Sequence, residues 1–392
     1  MKLRVLSLAL AAWGLLWSTP AHAWDELGHR VVARIAWDHM TPAARQHAIR
    51  LLQSAPPGSG IAELMPTTGT MEERHREWFV WTAVWADMVR DREHAGARYA
   101  RADWHYVNFF WETGPNGAPR DRPDVPRAGL LIDQMQRISQ TLGSAALPDS
   151  AEAIDLAWLL HLGGDSHQPL HNSARISAED PEGDRGGNSY RLAGLYPFNN
   201  LHAFWDSLVG FAIPWGMDED AEAEYVGGIA ERITRRWPQS RMRGRILPGQ
   251  FEEWSREGLR VAQRVAYTTP RNERASSAYR RRAWTAAEPR IALAGYRLAD
   301  LGSTNGTVVD GTRIVEVYVH GGELVRFGPE AYHTDEVAQQ FAAIPTFERT
   351  TAAWQELDRQ HYLHPFTDSK SLHAKGTRVI VRAAPGARPV SA

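Results

Sequence analysis

Residues 161–171, with the sequence HLGGDSHQPLH, constrain the fold of this chain most, because they place several ionisable side chains directly after a strongly apolar stretch. The mostly apolar run 154–160 precedes them, and Asp149 and Glu152 have the spacing of a capping box, so the sequence predicts a buried helix. Pro169 cannot donate a backbone hydrogen bond, and we expect the helix to end near it. The chain should then turn back toward the helix.

Two histidine–aspartate pairs in the sequence share one spacing. His161 and Asp165 are four residues apart, as are His202 and Asp206, so each pair lies on one face of a helix. One such pair alone would be interpreted as a buried hydrogen bond. Two pairs, with His171 following the first, favour a metal centre, because imidazole nitrogen and carboxylate oxygen are good ligands for zinc.

The N-terminal residues have the character of a secretory signal peptide. A basic start over residues 1–4 is followed by an apolar run over 5–17 and by Ala-His-Ala at 21–23, a small-x-small cleavage motif. The run is too short for a membrane-spanning helix, and the clean cleavage motif disfavours an uncleaved anchor. Cleavage after residue 23 would leave Trp24 at the N-terminus, which predicts a secreted or periplasmic protein without a membrane span.

Composition limits the remaining possibilities. The formal net charge is −2, so no global basic field attracts nucleic acid, and binding of a polyanion must depend on local charge such as bound metal. The chain has no cysteine, so it forms no disulfide even after export. Sixteen tryptophans in 392 residues are consistent with a tightly filled helical core.

The hydrophobic pattern predicts a mainly α fold over residues 24–301, followed by a short β-rich and partly irregular C-terminal tail. We predict helices over 219–237, 251–267 and 287–301, an extended or turn segment over 102–108, and a loop over 175–194.

The order of motifs along the chain resembles that of one family. Trp24…His29, Trp-Ala-Asp87, Trp-His105, His161-x₃-Asp165-x₅-His171, Gly-Asp-x-Gly-Gly-Asn188 and His202-x₂-Trp-Asp206 follow one another. This order resembles the trinuclear-zinc single-strand nucleases, the nuclease S-one/P-one type, within the zinc phospholipase C superfamily. The resemblance covers roughly residues 24–301 and implies their multi-helix fold. It also implies hydrolysis of single-stranded DNA and RNA to 5′-phosphorylated products, with an associated 3′-nucleotidase activity.

The resemblance further implies three zinc ions and assigns their ligands residue by residue. It places one zinc on Asp87, His105, His161 and Asp165; a paired zinc on His29, the bridging Asp165 and the amine and carbonyl of Trp24; and a third on His171, His202 and Asp206. It also places Arg90 near the reacting phosphate, so that Asp165 and Arg90 are the expected catalytic residues, and it places Tyr106, Asn108 and Asn188 against the substrate. By helix geometry His167 faces away from this set, which predicts a structural or supporting role.

The C-terminal tail carries two short resemblances. Residues 302–335, with Gly-Ser-Thr-Asn-Gly306, resemble the closing part of a forkhead-associated domain that lacks its earlier phosphopeptide-binding loops. Within residues 336–392, two stretches resemble the first residues of class III pyridoxal-phosphate aminotransferases. We expect a few strands and a poorly packed tail without activity.

Three alternatives to a monomeric nuclease acting on single-stranded nucleic acid remain open. A zinc phospholipase C would share fold and metals, although Asp at position 206 favours nucleases and Glu would favour lipases. A phosphopeptide-binding module would use residues 303–306 but needs the absent upstream loops. A purely structural zinc protein would need closed, cysteine-rich metal shells.

Overall fold

The computed structural model describes residues 24–144, 146–195, 197–210 and 217–301, together with four short strands between residues 307 and 333. The predicted signal peptide at 1–23 and the aminotransferase-like segment within 336–392 lie outside the described residues. No helix in the described ranges is both long and apolar enough to cross a bilayer.

The described chain is mostly helical, which confirms the predicted mainly α fold. Its α-helices are α1 (Glu26–His39), α2 (Pro42–Gln53), α3 (Met71–Thr82), α4 (Trp85–Met88), α5 (Leu131–Thr141), α6 (Asp149–Asp165), α7 (Leu201–Asp206), α8 (Glu219–Arg236), α9 (Gln239–Met242), α10 (Phe251–Arg264) and α11 (Ser277–Leu301). Helices α8 and α10 agree with the predicted ranges to within three residues, since α10 is followed by a short 3-10 helix.

Helices α1, α6 and α11 form the centre of the core. Helix α1 packs along α11, and α6 contacts both of them. The α1–α11 contact depends on Gly295, because a Cβ there would lie 2.4 Å from Ile35 Cγ2. Helix α6 is buried from Glu152 to Asp165 except at Ile154, so most of its polar groups are shielded from bulk water.

The start of α6 differs from the prediction. Pro148 is the N-cap residue, and no side chain caps the helix. The Glu152 side chain instead accepts a hydrogen bond from Gly143 N at 3.0 Å, because the preceding loop folds back over the first turn. The predicted capping box is therefore wrong, although the predicted buried helix is confirmed.

The end of α6 returns the chain toward its own last turn. The helix stops at Asp165, and a 3-10 helix over Pro169–Asn172 follows. Gln168 caps this short helix by accepting from Leu170 N. His171 therefore lies beside the C-terminal end of α6, as predicted.

A small sheet supports this turn. It contains β1 (Phe109–Thr113), β2 (Pro119–Asp121) and β3 (Ser173–Ile176) in the order β2-β1-β3, with β1 antiparallel to β2 and parallel to β3. Residues 175 and 176 thus belong to a strand, which corrects the predicted loop over 175–194. The strand depends on pairing with β1, a long-range contact that the local sequence does not reveal.

Helix α11 begins ten residues before the predicted start at 287, since it runs from Ser277 and carries Pro289 in its interior. Its buried arginines hold the turn after α6 in place. Arg290 donates to Ser166 O at 3.1 Å and to His167 O at 3.2 Å. Glu257 pairs with Arg290 and with Arg297, so the buried guanidinium charges are compensated.

The four strands after α11 form a separate antiparallel sheet. They are β4 (Thr307–Val309), β5 (Thr312–Ile314), β6 (Leu324–Phe327) and β7 (Glu330–His333), in the order β5-β4-β6-β7. Short strands are what the sequence predicts for this part of the tail.

Deleting the chain from residue 302 onward should leave hydrolytic activity and metal content unchanged. Every predicted metal ligand and the closing helix α11 lie before the cut. The check is a comparison of full-length and truncated protein by metal analysis and by hydrolysis of single-stranded DNA. Loss of activity on truncation would mean that the tail supports the site.

Candidate metal centre

The first cluster forms where α6 meets the segment before β1. His105 Nδ1 lies 3.0 Å from His161 Nε2 and 3.2 Å from Asp165 Oδ2. His161 Nε2 lies 3.3 Å from the same oxygen, as expected for two residues one helical turn apart. Asp87 Oδ1, on α4, lies 3.9 Å from both imidazole nitrogens. Four predicted ligands therefore converge on one point.

Asp165 also faces a further histidine through its second oxygen. His29 Nε2, on α1, lies 3.4 Å from Asp165 Oδ1, and the His29 ring stacks on His161 with centroids 4.0 Å apart. The position of the His29 ring depends on Gly164, because a Cβ there would lie 2.6 Å from His29 Nδ1. One oxygen of the Asp165 carboxylate thus faces His29, and the other faces His105 and His161.

Trp24 is positioned near the site by a hydrogen bond that the next residue forms with α7. Asp25 N donates to Asp206 O at 3.0 Å, and the Asp25 side chain accepts from Gly28 N to cap α1. The Trp24 side chain is fully buried, and a Cβ at Gly28 would lie 2.5 Å from Trp24 Cβ. The residue that follows Trp24 therefore contacts the last residue of α7, which places the Trp24 backbone next to that helix.

A second cluster lies beside the first. His171 Nε2 and His202 Nε2 are 3.1 Å apart, and Asp206 Oδ2 lies 3.6 Å from His202 Nε2. His171 Nδ1 lies 4.0 Å from Asp165 Oδ2, so the two clusters are adjacent. His171, His202 and Asp206 form one of the described groups whose ligand atoms are close enough to share a metal ion.

Backbone carbonyls fix the orientation of three of these histidines. Nδ1 of His161 faces Ala83 O at 2.8 Å, Nδ1 of His171 faces His105 O at 2.6 Å, and Nδ1 of His202 faces Gly186 O at 2.6 Å. In each case Nδ1–H donates, which leaves the Nε2 lone pair directed at its cluster. Metal-binding histidines are commonly held in this way.

The chemistry of the donor set fits zinc. Nε2 of His29 and Oδ1 of Asp165, which face each other, are both buried without a hydrogen-bond partner in the described chain. Buried polar groups are normally paired, so these two atoms are suited to bind a metal cation. Imidazole and carboxylate donors without thiolates match zinc sites that keep open positions for substrate.

Burial and charge set the protonation of the clusters. Burial lowers the pKa of His29 to about 4 and, with His171 nearby, that of His202 to about 3, so both are neutral ligands near pH 7. Burial opposes protonation of His161, but Asp165 and Asp87 raise its pKa to about 9. Metal binding at His161 therefore displaces a proton.

The predicted substrate residues lie on segments close in sequence or hydrogen bonding to the predicted ligands. Arg90, partly exposed, donates to Asp87 Oδ1 at 3.1 Å. Tyr106 packs on Gly129, where a Cβ would lie 2.2 Å from Tyr106 O, and Asn108 forms a bridge with residue 128. Asn188 Nδ2 donates to the carbonyl of Arg185, in the loop that holds His202. All four lie on segments that also carry or contact predicted ligands.

His167 faces away from the clusters, as predicted. Its Nδ1 lies 2.7 Å from Gly163 O, and its Nε2 accepts from Arg297 Nη1 at 2.8 Å. Burial and the positive charges of Arg290 and Arg297 hold the pKa of His167 well below its usual value. His167 is therefore a neutral structural residue within the arginine network.

Gln168 is a functional candidate that sequence reasoning missed. It is fully buried, and its Nε2 donates to Asp206 Oδ1 at 2.6 Å. The same side chain caps the short helix that carries His171. Gln168 therefore connects two elements of the second cluster; its place between Asp165 and His171 was the available signal.

Comparison with known proteins identifies the family. A family model described as S1/P1 Nuclease matches residues 24–304. The chain belongs to the S1/P1 nuclease family. The predicted resemblance is thereby confirmed over the whole helical domain of this family member, including every residue of the two clusters.

Curated relatives agree with membership of the S1/P1 nuclease family. "Endonuclease 2" of Arabidopsis thaliana is 22% identical over 242 residues, which are 60% of this chain and 72% of the relative. "Nuclease S1" of Aspergillus oryzae is 24% identical over 233 residues, 59% of this chain and 69% of the relative. "Nuclease P1" of Penicillium citrinum is 26% identical over 186 residues, 47% of this chain and 58% of the relative.

A second family model, described as FHA domain, matches residues 287–328 of this S1/P1 nuclease-family chain. The match overlaps α11, whose residues 291–299 are all buried within the helical domain. The first third of the match is therefore nuclease helix. This agrees with the prediction that only a fragment of a forkhead-associated domain is present.

Proposed function

We propose that this protein is a zinc-dependent phosphodiesterase that hydrolyses single-stranded DNA and RNA to 5′-phosphorylated products and also acts as a 3′-nucleotidase. The observation that carries the proposal is the sharing of Asp165. One oxygen faces His29 and the other faces His105 and His161, with a second histidine–aspartate cluster adjacent. Membership of the S1/P1 nuclease family supports the same reaction.

We assign three zinc ions to the two clusters. The first is held by Asp87, His105, His161 and Asp165; the second by His29, Asp165 and the amine and carbonyl of Trp24; and the third by His171, His202 and Asp206. When bound, zinc supplies Lewis acidity toward phosphate oxygens and makes water nucleophilic near neutral pH.

The protein's own residues position the substrate. Arg90 keeps one N–H on Asp87 and is placed to bind a phosphate oxygen, because a guanidinium offers several donors in a fixed plane. We assign Tyr106 and Asn108 to contact with a base, and Asn188 to contact with the substrate beside the His202 loop. In this assignment Asp165 is a ligand shared by the first and second zinc ions, and it is therefore the residue on which the reaction depends most.

Export completes the site in this proposal. Trp24 has a free amine only if the predicted signal peptide at 1–23 is removed, so secretion or transfer to the periplasm also creates a ligand. We expect the processed protein to be a monomer.

Metal analysis combined with four substrates tests the proposed function. Protein that begins at Trp24 should contain three zinc ions per chain and hydrolyse single-stranded DNA, RNA and 3′-AMP, but not phosphatidylcholine. Hydrolysis of phosphatidylcholine alone would instead favour the phospholipase C alternative. Absence of both zinc and hydrolysis would overturn the proposal.

Replacing Gln168 by Met should weaken binding of the third zinc alone. Met keeps the side-chain volume but removes the hydrogen bond to Asp206 and the cap of the His171 helix. Loss of a residue that orients metal ligands typically lowers metal affinity by about 10- to 100-fold. Zinc retention during titration with a chelator measures the effect.

Tyr296→Phe is the matched control for this substitution. It removes one hydrogen bond, from Tyr296 OH to Trp237 O, distant in sequence from the ligands. The control should retain all its zinc. Equal zinc retention by Gln168→Met and the control would show that Gln168 does not position the ligands.

A further inference from the structure

Residues 271–282, with the sequence RNERASSAYRRR, are strongly basic in a chain of net charge −2. They contain five arginines and one glutamate. Arg274, Arg280 and Arg282 are exposed, as is Arg191 on the neighbouring hairpin 191–200. We call these four residues the arginine patch.

The arginine patch concentrates positive charge on one short stretch and the adjoining hairpin. Some other exposed arginines pair with carboxylates, as in Arg235–Glu231 and Arg260–Glu253. No member of the patch has a carboxylate within ion-pair distance in the described ranges. Unpaired like charges repel one another, so this arrangement is stabilised when an anion binds to it.

Hydrogen bonds join the patch to α7, the helix that carries two residues of the second metal-ligand cluster. Asn272 N donates to Arg191 O at 2.8 Å, which fixes the segment 271–276 against the hairpin. The hairpin leads directly into α7, the helix of His202 and Asp206. Trp205 Nε1, on α7, donates to the hydroxyl of Tyr279 at 2.8 Å, and Tyr279 immediately precedes Arg280 in sequence.

Apolar side chains accompany the charges. The Arg280 guanidinium carbon lies 4.9 Å from the centroid of the Phe198 ring. Leu195, near the tip of the hairpin, is 87% exposed. Guanidinium groups beside aromatic and apolar side chains suit a ligand with both phosphates and unpaired bases, which can stack on rings and guanidinium planes.

We propose that the arginine patch binds the sugar-phosphate backbone of single-stranded nucleic acid beyond the nucleotides held at the metal clusters. This inference rests on the proposed function and adds an extended binding surface to it. The guanidinium fork binds phosphate oxygens in pairs, and the patch is joined through the hairpin and Tyr279 to α7, the helix of His202 and Asp206. The patch therefore favours long strands over short ones.

The test compares substrate lengths in wild-type protein and in a variant with Arg→Gln at all four patch positions. A dinucleotide, which has a single phosphodiester, is the reference substrate, and a single-stranded 20-mer is the long one. For single strands each phosphate contact contributes about −0.7 to the slope of log affinity against log salt concentration. We expect the salt slope of kcat/KM for the 20-mer to become shallower by roughly three in the variant.

A control variant carries Arg→Gln at four exposed positions on α8 and α10: Arg232, Arg235, Arg260 and Arg264. It has the same change in net charge, and its salt slope should stay near that of the wild type. If the fourfold patch variant does not fold, Arg280→Gln with Arg282→Gln should reduce the slope by about half as much.

The possible outcomes separate the two proposals. A wild-type protein that hydrolyses neither substrate overturns the proposed function and this inference with it. Hydrolysis of both substrates with an unchanged slope in the patch variant overturns this inference alone. Patch-dependent binding to phosphatidylglycerol vesicles, with an unchanged slope for the 20-mer, would assign the patch to a membrane surface and also overturn it.

Discussion

Asp165→Asn is expected to abolish most zinc binding and nearly all hydrolysis. The substitution keeps the shape of the side chain but removes a charge that faces His29 through one oxygen and His105 through the other. Two cations held close together without this carboxylate would repel each other. Losing about 4 kcal/mol of transition-state stabilisation corresponds to about a thousandfold loss of rate, and we expect at least this effect. Metal analysis and single-strand hydrolysis measure the two losses.

His167→Ala is the control for this prediction. His167 lies two residues from Asp165 in sequence and is equally buried, but it contacts Arg297 and the carbonyl of Gly163. Its loss leaves a cavity and removes a buried hydrogen bond, which together cost about 2–4 kcal/mol of folding stability. The folded variant should keep its zinc and its activity. Similar zinc loss in both variants would contradict the separation of ligand from structural residue.

An N-terminally extended protein is expected to lose one zinc and most activity. A free amine at Trp24 has a lone pair for zinc, whereas an amide nitrogen does not, because resonance delocalises that lone pair. The extension should weaken the zinc shared between His29 and Asp165, but spare the one held by His171 and the residues of α7, which are internal to the chain. The expected content is about two zinc ions, with little hydrolysis because the metal pair is incomplete.

One extra residue before Trp24 suffices for this comparison, and protein that starts at Trp24 is the control. Both proteins have the same internal ligands, so a difference in zinc content isolates the terminal amine. Three zinc ions and full activity in the extended protein would show that Trp24 is not a ligand.

Helical spacing allowed much of the site to be anticipated. A separation of four residues placed His161 and Asp165 on one face, and their ligand atoms lie 3.3 Å apart. The same spacing placed Asp206 beside His202. Helix geometry also turned His167 away from the clusters. These were local relations, which depend only on the period of the helix.

Other features depended on contacts between distant parts of the chain. The carbonyl that orients His161 belongs to Ala83, and nothing near either residue indicates that they meet. The strand at Arg175 exists because β1 pairs with it. Glu152 had the local spacing of a capping residue, but the loop before α6 supplied a different donor, Gly143 N. Tertiary hydrogen bonds overrode the local signal in this case.

The most direct test of the metal assignment is a crystal of protein beginning at Trp24, measured at the zinc absorption edge. We expect three anomalous peaks: two that share Asp165, and one against His171, His202 and Asp206. A single peak, or peaks that do not contact Asp165, would contradict this assignment.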